Sequence, residues 1–260
     1  FTALVVGMAA AVGLAVWKRL WAVAVVSAAG VVLALTGAAE SSVWLAFALA
    51  VTIGVAIGTL NGVLVTALGI PSFIVTLALF LTWVGVTLDA VKSQSIGTSR
   101  YEPWFAMTHR NMKPVQGWAF FVVLVAAYAV VTSVRQQRRA RAGVSYDRIE
   151  LVALRIGVLA VGGALVVWWF NQNRNPNPGP AIKGVPWAMS VPIAFMVVFT
   201  IVLTRTSWGR HLYAIGGNTE AASRAGIPVE RVRITAFVLC SAMAAVGGLF
   251  VTLKRGFADL

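Results

Sequence analysis

The run "VWLAFALAVTIGVAIGTLNGVLVTA", from Val43 to Ala67, contains no charged residue. It is longer than the roughly 20 residues that an α-helix needs to cross the apolar core of a bilayer, so it predicts a transmembrane helix. Gly54, Gly58 and Gly62 recur every four residues. Because a four-residue step drifts by only about 40° around a helix, the three glycines line one face. Small residues on one face predict that a second helix packs there at close range.

Asn61 is the one carboxamide within this run. Its position next to the glycine face is compatible with two roles, a hydrogen bond between helices or a place on the path of a solute. The segment "GIPSFIVT", from Gly69 to Thr76, follows directly. Gly69 and Pro71 predict the end of one helix and the first turn of the next.

The rest of the sequence repeats this apolar pattern. Of its residues, 59% are hydrophobic and only 11% are charged, whereas a soluble domain carries about 25% charged residues. The sequence therefore predicts an all-α, polytopic transmembrane helical bundle of about eight spans, forming a single domain over residues 1–260. The first two runs are short, and they are either a truncated span with its neighbour or a tight, re-entrant helical pair. The apolar runs are Thr2 to Val16, Leu20 to Leu35, Val43 to Ala67, Ile70 to Val91, Gly117 to Val134, Leu151 to Phe170, Trp187 to Thr204, and Val232 to Val251.

Lys and Arg are unevenly distributed between the two sets of loops. If strict alternation of the spans places the Arg-rich segment 135–148 in the cytoplasm, Lys18 and the polar segment 205–231 lie on that side too. This side then holds more Lys and Arg than the other, as the positive-inside rule requires. The loops 92–116 and 171–186 are then expected outside as solvated connectors, with docking of an external partner as the alternative.

The charges also limit the classes of function. The net charge of +13 belongs to loops between apolar runs, so no nucleic acid partner is expected, whereas membrane lipid is. Asp89 and Arg155 lie near the ends of their runs, so the sequence lacks the mid-membrane carboxylate of a proton-coupled pump. One cysteine, Cys240, and two distant histidines offer no metal site and no catalytic group. We therefore expect a transport subunit that is not an enzyme.

The polar segment contains "GGNTEAASRAGIP", which specifies both ends of a very short helix. Asn218 or Thr219 can act as the N-cap, and Glu220 lies in the first turn, where the helix dipole favours an anion. Arg224 is in the last turn and Gly226 can adopt the left-handed conformation. A helix this short needs support from its surroundings, and its small side chains fit a groove of another protein better than a lipid surface.

Two stretches resemble a known family. "TRTSWGRHLYAIGGNTEAASRAGIPVERVRITAFVLCSAMAAVGGLF", Thr204 to Phe250, is similar to the cytoplasmic loop and next helix of permease subunits of bacterial ABC sugar importers. "GTLNGVLVTALGIPSFIVTLALFLTWVG", Gly58 to Gly85, resembles the second signature region of the same family. The group is that of ribose, galactose and xylose, and the Arg-rich and Asn/Pro-rich loops look most like the xylose branch.

The resemblance implies a role for particular residues. The coupling helix that docks on the ATPase subunit would comprise Gly216, Gly217, Asn218, Glu220, Ala221, Ala222, Gly226 and Ile227. Residues near the translocation path would be Asn61, Gly62, Phe73, Thr76 and Leu77.

The resemblance also implies an assembly in the bacterial plasma (inner) membrane. Two permease copies would work with two ATPase subunits and an extracytoplasmic sugar-binding protein. ATP and Mg would bind to the ATPase partner, and no cofactor to this chain.

The remaining expectations concern the ends of the sequence and the alternative functions. The family's upstream Gly-Ile-Asp-Leu-Ser-type motif and downstream Ala-rich helix are not in this sequence, which starts at Phe1, so we expect a fragment truncated at both ends. Branched-chain amino acid or nucleoside permeases, and an ion-coupled secondary transporter, are the alternatives. A membrane scaffold or receptor that does not transport would use the short capped helix as an ordinary docking site.

Overall fold

A computed structural model describes residues 2–37, 42–91, 96–97, 108–141, 149–175 and 183–258. The described residues form the α-helices α1 (Thr2–Trp17), α2 (Trp21–Thr36), α3 (Val43–Leu68), α4 (Ser72–Val91), α5 (Pro114–Arg141), α6 (Ile149–Asn171), α7 (Ser190–Arg205), α8 (Ser207–Gly217), α9 (Thr219–Arg224) and α10 (Val229–Arg255). A 3₁₀ turn, Trp187–Met189, precedes α7. Two short strands, β1 (Ile96–Gly97) and β2 (Phe257–Ala258), pair antiparallel.

Among the described residues, six of these helices are long and apolar enough to cross a membrane: α3, α4, α5, α6, α10, and α7 together with its 3₁₀ turn. The helices α1 and α2 are apolar but shorter, and 16 residues extend only about 24 Å. Arg19 lies in the turn between them and has a left-handed φ of 57°. The all-α prediction is confirmed, and the eight predicted runs correspond to six helices of spanning length and one pair of shorter helices.

The chain forms two compact units. Unit 1 comprises Phe1–Phe105 and Ala194–Leu260, and unit 2 comprises Ala106–Ile193. Unit 1 therefore contains α1 to α4 and α8 to α10, and unit 2 contains α5 and α6.

The central contact of unit 1 joins α3 to α10 along the glycine face. A Cβ on Gly58 would lie 2.7 Å from the Phe237 carbonyl oxygen and 2.7 Å from the Val238 Cα. A Cβ on Gly62 would lie 2.9 Å from the Ile234 Cα. Only glycine leaves room for the two backbones at this separation. The predicted close-packed face is confirmed, and its partner is α10.

The same contact shows that α3 and α10 are antiparallel. Gly54 lies against Ala245, whereas Gly62 lies against Ile234, so residue numbers rise along one helix as they fall along the other. Val55 and Val63 on α3 pack with Ile234 and Val238 on α10 in a buried cluster.

The short helices α1 and α2 complete this core. Met8 and Ala11 on α1 pack against Ala56 on α3 in a second buried cluster. Gly30 on α2 is closely packed against Met8 and Thr52, where a Cβ would overlap both side chains. The helices α1 and α2 therefore lie against α3 by close packing of small residues.

Contacts at the two ends of unit 1 agree with the predicted alternation of the spans. Lys18, in the turn between α1 and α2, forms an ion pair of 2.8 Å with Glu230 at the start of α10. Ile96, after α4, pairs with Ala258, after α10. Strict alternation places the members of each pair on the same side.

In unit 2, the segments before α5 and after α6 are joined. The Met112 amide donates to the Val185 carbonyl oxygen at 2.7 Å, and Asn111 forms a bridge with Pro186. Residues 142–148 and 176–182 of the predicted loops lie outside the described residues.

We predict that Gly58→Ala lowers stability by about 1–3 kcal/mol, because the added methyl group overpacks a contact between two backbones. The matched control is Gly85→Ala on α4, where a Cβ would meet nothing within 4 Å. That change should be neutral or slightly stabilising, since Ala favours helix over Gly. Thermal unfolding of both variants in detergent checks the prediction, and equal midpoints would contradict it.

Candidate functional site: the coupling segment and helix α3

The polar segment between α7 and α10 contains two helices, of which the sequence reasoning predicted only one. The additional helix, α8, begins after Thr206, whose Oγ1 accepts a hydrogen bond from the Gly209 amide at 3.1 Å. Trp208, Leu212 and Ile215 follow at spacings of four and three residues. This spacing is the signal that could have predicted α8, since it places three apolar side chains on one face.

The short helix α9 has the ends that the sequence predicts. Asn218 is the N-cap, and its Oδ1 accepts a hydrogen bond from the Ala221 amide at 3.0 Å. Glu220 lies in the first turn and Arg224 in the last, and the two form an ion pair of 2.6 Å. Gly226 has a φ of 80°, the left-handed conformation that ends the helix. The capping prediction is confirmed.

The support for α9 comes from this chain itself. Ala222 is buried against Ile215 of α8 and Val232 of α10. Leu212 and Ile227 are partly buried against the same cluster. The support that so short a helix needs is therefore provided on this face by α8 and α10 of the same chain.

Two hydrogen bonds hold the segment on α10. The Trp208 indole nitrogen donates to Thr235 Oγ1 at 2.8 Å. The Arg233 guanidinium donates to Thr219 Oγ1 at 3.1 Å. Together with the ion pair between Lys18 and Glu230, they join α8, α9 and the turn between α1 and α2 to the first two turns of α10.

The eight residues that the resemblance assigns to the coupling helix divide into two groups. Ala222 is buried and Ile227 is partly buried, so both stabilise the segment through its contact with α8 and α10. The others are exposed: Gly216, Gly217, Asn218, Glu220, Ala221 and Gly226. We define these six as the outward face of the segment.

The five residues predicted near the translocation path lie in different environments. Asn61 is buried on α3, where its Nδ2 donates to the Ile57 carbonyl oxygen of the same helix at 3.2 Å. Its Oδ1 has no hydrogen-bond partner among the described residues. Among the described residues, Asn61 therefore bonds within α3 and forms no hydrogen bond to another helix, one of the two roles considered for it.

Gly62 faces the backbone of α10 at Ile234, so its role in unit 1 is helix packing. Phe73 and Leu77 are exposed on α4, with exposed fractions of 73% and 46%. Thr76 donates its hydroxyl to the Ser72 carbonyl oxygen of its own helix at 2.9 Å. Asn61 and Gly62 on α3 are thus buried, whereas Phe73 and Leu77 on α4 are exposed.

The structure also places buried polar side chains that the sequence reasoning did not single out. Ser27 on α2 and Thr59 on α3 are fully buried. Thr59 donates to the Val55 carbonyl oxygen at 2.8 Å, whereas Ser27 Oγ has no partner among the described residues. The sequence does contain a signal for these two residues, since each has a hydroxyl group and lies inside an apolar run.

A cavity of about 220 Å³ opens beside the contact between α3 and α10. It is lined by Ala50, Ile53, Gly54, Ile57, Ser241, Ala244 and Ala245. None of the predicted path residues is in this lining. No cluster of His, Cys, Asp or Glu suited to a metal ion occurs among the described residues.

Six helices long and apolar enough to cross a membrane, with a capped, exposed segment between two of them, indicate a multi-pass membrane protein. The sequence profile of the family described as branched-chain amino acid transport system / permease component matches residues 2–260. The chain belongs to this family.

Several curated relatives are similar to the chain. The xylose transport system permease protein of Escherichia coli strain K12 is 29% identical over 230 residues, 84% of this chain and 55% of the relative. The corresponding protein of Haemophilus influenzae is 26% identical over 230 residues, 84% of this chain and 57% of the relative. The L-arabinose transport system permease protein of Escherichia coli strain K12 is 38% identical over 71 residues, 27% of this chain and 22% of the relative.

This chain thus spans about half the length of the xylose relatives that it matches. Comparison with solved structures gives no significant match.

We predict that Asn218→Ala lowers the free energy of local unfolding of α9 by about 1 kcal/mol, because the Ala221 amide loses its capping acceptor. Amide hydrogen exchange over residues 219–227 should become faster, while exchange in the middle of α10 stays unchanged. Asn218→Asp is the matched control, since a carboxylate keeps the cap. Equal exchange in the Ala and Asp variants would contradict the capping role.

Proposed function

We propose that the chain is the membrane-spanning part of a permease subunit of an ATP-driven ABC importer. The substrate is a monosaccharide, xylose or a similar sugar, that crosses the bacterial plasma membrane. The observation that carries the proposal is the similarity to xylose transport system permease proteins over 84% of this chain.

The names of the relatives support sugar as the substrate class. The family description refers to branched-chain amino acids, but the relatives given above are named for xylose and for L-arabinose. Both are neutral monosaccharides. An amino acid or nucleoside permease is therefore the less favoured alternative.

The positions of the carboxylates support an energy source outside this chain. In the part of the chain that the structure describes, each carboxylate lies in the first or last turn of a helix: Asp89, Glu150, Glu220 and Glu230. An ion-coupled transporter needs an ionisable group within the membrane, where it can be protonated or bind a cation. ATP hydrolysis by a partner subunit meets the energy requirement, with ATP and Mg bound to that partner.

The coupling mechanism follows from the contacts of the segment. An ATPase subunit docks on the outward face, and its closure on ATP moves α9. The apolar cluster of Ile215, Ala222 and Val232 passes this movement to α10. Because the α10 backbone packs directly on Gly58 and Gly62, α3 moves with it. Packed helices transmit such changes as rigid-body motions.

The buried polar atoms support a path for a neutral solute. Asn61 Oδ1 and Ser27 Oγ lie inside unit 1 without a hydrogen-bond partner among the described residues. An unpaired buried acceptor is costly, and a sugar hydroxyl would satisfy it. In this proposal Asn61 contacts the solute, whereas Gly62 only packs. The assembly contains a second permease copy and an extracytoplasmic sugar-binding protein.

The charge of Glu220 provides the test. Its side chain is exposed and, within the part of the chain that the structure describes, its carboxylate pairs only with Arg224 in the next turn, so reversing it should hardly affect the stability of this chain. We expect Glu220→Arg to lower D-xylose uptake by about tenfold or more and to reduce recovery of the ATPase subunit, because reversing a charge on a docking surface removes electrostatic complementarity with the partner. Uptake by whole cells and co-purification with the full-length chain measure the two effects.

The double variant Glu220→Arg/Arg224→Glu separates docking from local stability. It restores the ion pair within α9 but leaves the charge at position 220 reversed. If docking is the role, uptake stays low in the double variant. Full uptake in the single variant would overturn the coupling assignment, and uptake of leucine instead of xylose by the unmodified protein would overturn the substrate class.

A further inference from the structure

Three loop segments of unit 2 form a hydrogen-bonded platform at the ends of α5 and α6. We define the platform as residues 108–113, 171–175 and 183–187. The Gly184 amide donates to the Phe170 carbonyl oxygen at 2.9 Å, and the Trp187 amide donates to the Arg110 carbonyl oxygen at 3.2 Å. With the bond from Met112 to Val185, backbone contacts join the segment before α5 to those after α6.

The platform rests on an apolar base. Met112, Val167 and Val185 form a buried cluster, against which Phe170 packs. Gly184, with a φ of 97°, lies so close to the Met112 carbonyl oxygen that a Cβ would overlap it. These contacts fix the backbone of the platform, although the sequence predicted solvated connectors here.

Arg174 also holds the platform together. Its guanidinium donates to the Gly184 carbonyl oxygen at 2.9 Å and lies 4.8 Å from the centroid of the Phe170 ring. This arginine therefore acts mainly as a structural tie between α6 and the segment that follows it.

The remaining charges of the platform are all positive. Arg110, Lys113 and Lys183 are exposed, and the described residues of the platform include no Asp or Glu. None of the three cations forms an ion pair with a residue that the structure describes. Their charges thus point to solvent from a backbone that is already ordered.

We propose that this platform is the docking surface for an acidic patch on the extracytoplasmic sugar-binding protein. The inference rests on the proposed function and on the predicted outer location of these loops. Cations of one sign attract an acidic surface and raise the rate of encounter. Because the platform is ordered before binding, little further conformational entropy is lost on docking.

The test uses the full-length permease assembled with its ATPase subunit in nanodiscs of neutral phosphatidylcholine. The purified, sugar-loaded binding protein of the same transport system is titrated in, and ATP hydrolysis is measured. For the triple variant Arg110→Glu/Lys113→Glu/Lys183→Glu, we expect the concentration giving half-maximal stimulation to rise by about tenfold or more. Raising the salt concentration should weaken the response of the unmodified protein, since exposed charges are screened.

Three controls make the outcomes distinct. Arg141→Glu reverses an exposed cation at the opposite end of α5 and should leave the half-maximal concentration unchanged. The conservative variant Arg110→Lys/Lys113→Arg/Lys183→Arg keeps the charges and should also behave like the unmodified protein. Recovery of the ATPase subunit with each variant shows that the variant is folded.

An unchanged half-maximal concentration in the triple Glu variant would overturn the platform assignment while leaving the proposed function intact. A response that disappears in neutral nanodiscs but returns with phosphatidylglycerol would assign the cations to lipid headgroups and likewise overturn it. If no sugar-binding protein stimulates the unmodified assembly, the proposed function fails, and this inference fails with it.

Discussion

The contact between the backbones of α3 and α10 is the constraint on which unit 1 depends. Three glycines at four-residue intervals leave α3 without side chains on one face, so α10 approaches until its backbone atoms lie 2.7 to 2.9 Å from where Cβ atoms would be. In a bilayer the lipid tails are as apolar as the helices, and association depends on close packing more than on burial of apolar surface. A helix pair held in this way moves as one body, because interdigitated surfaces resist gradual deformation. The same pair carries Asn61 in the interior, where its Oδ1 has no hydrogen-bond partner among the residues that the structure describes.

The polar segment between α7 and α10 rests on α10, one helix of that pair. A helix of six residues is too short to be stable alone, yet α9 is fixed by a cap at Asn218, a left-handed turn at Gly226 and the burial of Ala222. The residues that bury against α8 and α10 differ from those that face outward. A partner can therefore bind the outward face without disturbing the contacts that hold the segment on α10. Since α10 takes part in both contacts, it links the segment to α3.

Unit 2 is built differently. Its helices α5 and α6 carry many exposed apolar side chains, as expected for surfaces that meet lipid or other helices. At one end of unit 2, backbone hydrogen bonds and a buried cluster of Met112, Val167 and Val185 hold the described loop residues together. An ordered loop needs such internal partners, because buried amide and carbonyl groups are costly when unpaired. The composition of these loops did not indicate the contacts, since two of them, Met112 to Val185 and Trp187 to Arg110, join residues more than 70 positions apart.

The sequence by itself determined the features that depend on neighbouring residues. The length of the apolar runs specified the spans, and the order of Asn218, Glu220, Arg224 and Gly226 specified α9, because caps and turns act within a few residues. The glycine repeat also predicted a close contact between α3 and another helix. Only the tertiary structure decided which helix makes that contact, that α8 and α10 support α9, and that Asn61 bonds within its own helix. Those outcomes depend on residues far apart in the chain, and many arrangements satisfy the same local pattern until side-chain packing selects one.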